Sequence, residues 1–541
     1  MRPIITAIIM VAILLAGAVP ARSYTLQFTD ASSTVQIKWP NNVITIALSS
    51  SLATPPANIK AGSDVAGAAR RALLHWAAAS NIRFVETSSS AQSISPSTGG
   101  DGVSLITVAN TPDNGALFSG SDRPGRTRVF FDPLTGLISE ADIALNPSAQ
   151  FSTDGTFDTY DLESVLTHEL GHLLGLEHSA LVGATMQPRL ALNGLYTVPA
   201  FSPRTLSEDD RAGARSLYGP RTGLGAIAGT VSYAGGAPAY GAHVWAQDSA
   251  TGRSIAGSIT SQSGSYLIED LPPGQYRVVC EHLDGNVVAS EIASSGGAYA
   301  GLSVPQAAFR ATEVADQVTV TSATVAPLNI ALTGGQPFLN PRLVGINGQL
   351  STIAVPLEPG RTYTIYVGGN GLDQITGAGI SIASPYIRVE PLSMKLQQLD
   401  TPYPIISFDI KVAEDVPDGE YDLRFRSNNG EVSYIAGGLT VDDGASALFA
   451  GGVERSGETA GMSEDELALV LGDEAAGATA AGLEGESLTS VSRLRARGAA
   501  AYGRERTSRF DNLKAVATER FKALIERLSN PPGTGSALRP S

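Results

Sequence analysis

The sequence predicts a multidomain chain: an α+β domain first, two all-β sandwich modules after it, and a low-complexity, partly helical tail. Three observations predict this. At 541 residues the chain is far too long for one hydrophobic core. Up to about residue 220, helical repeats alternate with strand-like runs, whereas from Ile227 to about Asp443 period-two strands are broken by turn residues. After Gly444 the composition shifts to Ala, Gly, Glu and Ser.

Residues 1–21 read as an export signal. Arg2 gives the positive start, Ile4 to Leu15 the apolar run, and Val19-Pro20-Ala21 the small residues before a cut near Arg22. The run is short for a membrane anchor and lacks a basic stop-transfer flank, so a secreted, extracellular protein is expected. A formal net charge of −15 argues against nucleic-acid partners. Cys280 is the only cysteine, so no internal disulfide is available; within Tyr276-Arg277-Val278-Val279-Cys280 it reads as a small buried strand residue.

The first domain is placed at 24–219. Val43 to Ala47 reads as a buried strand, and Asp64 to Ala79 as a helix burying Val65, Ala69, Leu73 and Trp76. His75 on that helix is read as structural. Ile82 to Glu86, Val103 to Val108, Arg126 to Phe131 and Leu137 to Leu145 alternate as strands, with a hairpin-type turn at Leu134-Thr135-Gly136. Asp158 is expected to cap the next helix, with Asp161 in a capping-box position and Leu162, Val165, Leu166 and Leu173 facing the core.

That helix carries the chemistry. His168 and His172 are four residues apart, so their imidazoles share one helical face. Glu169 lies beside them. Gly175 accepts the positive φ of a C-terminal cap, which lets the chain turn back and return His178 to the same point. Three neutral imidazoles around one open position form the ligand set of a catalytic zinc. The bland alternative, a solvated helix face with structural histidines, leaves the glycine and the third histidine unexplained.

The spacing HExxHxxGxxH is that of the metzincins, and Ser179 after the third histidine resembles the matrixins, the matrix metalloproteinase family. Ala184-Thr185-Met186-Gln187-Pro188 looks like the family's Met-turn. Leu206-Ser207-Glu208-Asp209-Asp210, continuing to Leu217-Tyr218-Gly219, resembles its closing helix, and Ile138 to Ile143 the strand bordering its substrate cleft. The resemblance covers about the first 220 residues. It implies a twisted mixed sheet plus helices and a zinc endopeptidase acting on protein or peptide substrates. His168, His172 and His178 would hold the metal, Glu169 would be the general base, and Met186 would pack beneath the ion. By resemblance, the loop Arg189 to Thr205 shapes the pocket just beyond the scissile bond.

Two departures stand out. No cysteine precedes His168, so a cysteine switch on the zinc is not expected. Animal matrixins hold a second, structural zinc through histidines, but here Asp142-Ile143-Ala144-Leu145-Asn146 puts alanine at the histidine's place. Asp132, Glu140, Asp142, Asp154 and Asp158 leave room for calcium (Ca2+), though without EF-hand spacing they read better as solvated loop carboxylates.

Residues 222–333 combine strands at Ile227 to Val231, His243 to Ala246 and Ser265 to Ile268 with Leu271-Pro272-Pro273-Gly274-Gln275-Tyr276. That pattern resembles the carboxypeptidase regulatory-like, transthyretin-like β-sandwich; His243 and His282 read as structural. Residues 334–443 are read as an immunoglobulin-like sandwich from strands at Arg361 to Val367, Ile405 to Ile410 and Asp418 to Phe425. Residues 444–541 are read as a flexible linker with an amphipathic helix at Arg509 to Leu528. No terminal apolar anchor is visible, so release after signal cleavage is expected. The competing reading is an extracellular adhesion protein whose β modules carry the function by contact with a cell surface or matrix.

Overall fold

The computed structural model describes residues 25–30, 35–119, 121–200, 202–292, 309–390, 392–398 and 401–442. The segment read as an export signal and the tail, including the helix expected at 509–528, lie outside the described residues. No described helix is long and apolar enough to cross a membrane.

Strands β1 (Val43–Ser49), β2 (Arg83–Ser89), β3 (Leu105–Thr107), β4 (Gly125–Phe131) and β5 (Ile138–Leu145) form one sheet in the order β2-β1-β3-β5-β4. All neighbours run parallel except β4, which lies antiparallel to β5 at the edge. Such a sheet needs helical cover. Helix α1 (Val65–Ala79) begins at Asp64, whose side chain accepts the Gly67 N–H at 3.0 Å, and buries Val65, Ala69, Leu73 and Trp76. Of the strand expected over Val103 to Val108, only Leu105–Thr107 forms; at its two ends the Val103 N–H goes to the Asp101 side chain and the Val108 N–H to Ser51 Oγ.

Helix α2 (Leu162–Leu173) starts later than the sequence suggests. Tyr160–Asp161 still pairs as extended backbone with Phe151–Ser152, so the cap is Asp161, not Asp158; its carboxylate accepts the Ser164 N–H at 2.9 Å. Asp158 sits in the preceding turn at φ 64°. Beyond the expected stripe, every α2 residue except His172 is buried. Trp76 Nε1 donates to Thr167 O at 2.8 Å and Trp39 Nε1 to Leu173 O at 2.9 Å, pinning α2 from two sides. Helix α3 (Glu208–Tyr218) opens with a capping box between Ser207 and Asp210.

Glu163 in the first turn of α2 is 2 % exposed and faces Arg71 at 2.7 Å and His75 at 3.2 Å, so His75 does have the structural role read for it. Burial pushes its carboxyl up, but the His75 hydrogen bond and the charges of Arg71 and Arg204 outweigh this and hold it at about 2. The folded pKa lies below the unfolded one, so this group's stabilisation is full above pH about 4.5 and lost as pH falls towards 2. At 1.36 kcal/mol per pKa unit the effect is about 3 kcal/mol. Glu163→Gln is therefore expected to lower the urea midpoint at pH 7 and to flatten its decline between pH about 4.5 and 2; an unchanged acid limb would contradict this.

The β region differs from two separately closed sandwiches. Arg253–Ile259 of the first β segment pairs with Gly419–Ser427 of the second, placing Arg253 opposite Tyr421. One nine-stranded sheet therefore runs from Thr312–Glu313 through Gly274–His282 to Val432–Val441 and Val355–Leu357. Asp422, 1 % exposed, lies at the join. Its carboxylate accepts from Trp245 Nε1 at 2.7 Å, Gln247 Nε2 at 3.2 Å and Gly437 N at 2.7 Å. A buried carboxylate satisfied from both segments ties them together. Cys280 is buried on Gly274–His282, and burial pushes its thiol up. His243 is buried and stacks on Trp245 with ring centroids 4.8 Å apart.

Candidate metal centre

Helix α2 presents His168 and His172 from consecutive turns. Gly175 then takes φ 97° and approaches Ile37 O so closely that a Cβ would lie 2.2 Å from it; no other residue fits that bend. The returning chain delivers His178. The three ring centroids stand 4.9, 5.5 and 4.9 Å apart, and one ligand atom from each ring lies within 4.8 Å of the others. The structure thus brings together all three histidines singled out from the sequence.

Each ring is oriented by a backbone carbonyl on its Nδ1: Thr185 O at 2.8 Å for His168, Leu176 O at 2.9 Å for His172 and Glu291 O at 2.7 Å for His178. A carbonyl only accepts, so each Nδ1 carries the proton and each Nε2 keeps its lone pair. Burial pushes His168 down to about 4 and His172 to about 3, with His178 also well below its ordinary value. Neutral imidazoles with free Nε2 lone pairs suit a divalent ion that prefers nitrogen donors.

Glu169 is held from the sheet edge. Thr127 Oγ1 lies 2.7 Å from Glu169 Oε2 and 2.9 Å from its backbone oxygen. A Cβ at Gly125 would come within 2.8 Å of the Glu169 side chain, so β4 approaches through a glycine. Burial pushes the Glu169 carboxyl up to about 7, against the opposing pull of the Thr127 hydrogen bond. Sequence reasoning missed Gly125 and Thr127, because strand alternation does not say what a strand lies against. It also misplaced the bordering strand: β5 is internal, and the edge facing Glu169 is β4.

The segment after His178 is fixed by α3. Ser179 Oγ donates to Asp209 at 2.6 Å, and the N–H groups of Thr185 and Met186 donate to Asp210 at 2.7 and 3.1 Å. Met186 is buried, with its Sδ against Gly171 of α2. Further along, the buried Tyr196 hydroxyl lies within 2.8 Å of Val344 O, Ser351 Oγ and Ile353 O, so the loop Arg189 to Thr205 is braced by the β region.

Of the five carboxylates considered for calcium, Glu140 and Asp142 are not solvated loop groups: both are buried on β5 and face the 95–105 segment. Asp132 caps its own turn, Asp142 accepts the N–H groups of Ser95 and Leu105, Glu140 accepts that of Gly102, and Asp154 pairs with Lys60. Among the described residues, His168, His172 and His178 form the one group of three or more His, Cys, Asp or Glu that could hold a metal ion.

Three converging imidazoles define a candidate metal centre in an α+β domain, with the buried Glu169 next in sequence to His168. Residues 38–219 match the family model described as Matrixin, and residues 226–333 that described as Carboxypeptidase regulatory-like domain. The chain thus carries a matrixin domain followed by a carboxypeptidase regulatory-like domain. Metalloendoproteinase 1-MMP of Arabidopsis thaliana is 30% identical over 198 residues, covering 35% of this chain and 46% of the relative. Metalloendoproteinase 4-MMP of the same plant is 31% identical over 188 residues, covering 34% and 48%. Interstitial collagenase of Oryctolagus cuniculus is 28% identical over 158 residues, covering 29% of each. The chain therefore spans less than half the length of these relatives. Among solved structures, BcpA, the major pilin subunit of Bacillus cereus, aligns over 39% of this chain and 66% of that chain at 14% identity and a TM-score of 0.14, too low to bear on fold or function.

Proposed function

We propose that this chain is an exported zinc-dependent endopeptidase that hydrolyses peptide bonds in extracellular proteins. The observation that carries the reading is the convergence of the three imidazoles, with the buried Glu169 next in sequence to His168. His168, His172 and His178 would hold the ion, each kept in the ligating tautomer by its Nδ1–carbonyl bond. Zinc, when bound there, supplies Lewis-acid polarisation of the peptide carbonyl and acidifies water.

The remaining work falls to the protein. Glu169 takes the proton of the attacking water on its carboxylate and returns it to the departing nitrogen. Thr127 fixes where that carboxylate points, through the 2.7 Å bond to Oε2. The edge of β4 leaves backbone groups on which an extended peptide can pair. Export is supported by the apolar run at Ile4 to Leu15 followed by small residues. The catalytic unit is assigned to 24–219, with β segments at 222–333 and 334–443 that share a sheet.

The test is cleavage of casein by the purified chain, with and without a zinc chelator. Hydrolysis is expected to stop when zinc is removed and to return on adding back about one equivalent. Cleavage that persists in the metal-free protein would end the proposal.

A further inference from the structure

His178 differs from the other two histidines in where its orienting carbonyl comes from. Thr185 and Leu176 belong to the matrixin domain itself. Glu291 lies 113 residues beyond His178, in a short helix (Ala289–Ile292) of the carboxypeptidase regulatory-like segment. At 2.7 Å its carbonyl makes the shortest of the three ring contacts. Inside the matrixin domain the neighbouring Glu177 carboxylate is no substitute, because its Oε1 stands 3.9 Å from His178 Nδ1, too far to accept a hydrogen bond.

The short helix is clamped from both sides. The Val288 N–H donates to Glu291 Oε2 at 3.0 Å, which fixes the first turn. Arg189, just past the Met-turn, donates from Nη1 to Asn286 O at 2.9 Å and pairs through Nη2 with Glu291 Oε1. Asn340 Nδ2 holds the same loop through Asp284 O at 2.7 Å. One arginine therefore links the chain leaving the histidine site to the element that supplies the carbonyl.

We infer that the metal centre is built by two domains: the β segment contributes the Glu291 carbonyl as the positioning group for His178, held in place by Arg189. This rests on the three-histidine reading proposed above. Partners that orient a ligating histidine typically account for 10–100-fold in metal affinity. The carbonyl is backbone and survives substitution, so the accessible handle is its clamp.

The experiment measures zinc affinity of the full chain by competition with a chromophoric chelator, together with the visible spectrum of the cobalt(II)-substituted protein, which reports ligand geometry. Arg189→Ala and Glu291→Ala are each expected to weaken zinc binding by about tenfold and to shift the cobalt bands. The double variant should lose less than the two single losses combined, because the Arg189–Glu291 pair is common to both, while each also removes a contact of its own, to Asn286 O and to Val288 N–H respectively. Arg189→Lys, which keeps the charge opposite Glu291, should recover part of the affinity. The urea midpoints of the metal-free proteins separate positioning from general destabilisation, and in Arg189→Lys the fold is least disturbed. Wild-type zinc affinity and cobalt spectra in both alanine variants would overturn the inference alone. A wild-type chain that binds no stoichiometric zinc would instead overturn the three-histidine reading and this inference with it.

Discussion

Glu169→Gln is expected to keep one zinc per chain and the native fold while peptide hydrolysis falls by about 10²–10⁴-fold, the usual contribution of a general base. Glutamine has the same shape, and its amide oxygen can still accept from Thr127 Oγ1, now 2.7 Å from Oε2. The Gly125 cradle fits it equally well. What the amide cannot do is take a proton from water. Initial rates on a fluorogenic peptide, paired with zinc content by elemental analysis, separate the two properties. Near-wild-type rates in a zinc-loaded variant would remove Glu169 from the chemistry; loss of zinc would make it part of the metal site instead.

The parts of this centre legible in the sequence are those whose geometry is local. A four-residue histidine spacing fixes a shared helical face, and a glycine three residues on licenses the φ of 97° that returns His178. The Asp158 cap failed for a related reason. Two acidic residues three apart both qualify as caps, and only the pairing of Tyr160–Asp161 with Phe151–Ser152 decides that extended backbone persists to Asp161.

What stayed hidden is carried by backbone groups and distant strands. The carbonyls of Thr185, Leu176 and Glu291 orient the rings whatever their side chains, so residue identity gives no cue. Thr127 reads as one more strand residue until β4 is set beside α2. In the β region, alternation reports which face is buried but not which strand is the neighbour. The pairing of Arg253 with Tyr421 and the donors converging on Asp422 are therefore invisible until the chain is folded, and two modules read as separate share one sheet.

The second large effect is expected from Arg204→Ala. Arg204 and Asp161 are 2 % and 0 % exposed at the side chain and meet through two bonds, Nη2 to Oδ1 at 2.6 Å and Nε to Oδ2 at 2.9 Å. Nη2 also donates to Thr153 O at 2.9 Å. Removing one partner of a buried pair strands the other charge, which typically costs about 3–5 kcal/mol. Here the stranded group is the N-cap of α2, so the loss falls on the helix that bears His168 and His172. Tryptophan fluorescence in urea suits the measurement, because Trp39 and Trp76 both donate to α2 carbonyls. The variant should unfold at clearly lower urea. Arg204→Met combined with Asp161→Asn should recover much of the difference, since asparagine caps as well as aspartate and both charges of the pair leave together, while the buried Glu163, 3.9 Å from Arg204, keeps Arg71 and His75 as partners. If Arg204→Ala unfolds at the wild-type midpoint, the Arg204–Asp161 pair does not anchor the helix that bears His168 and His172.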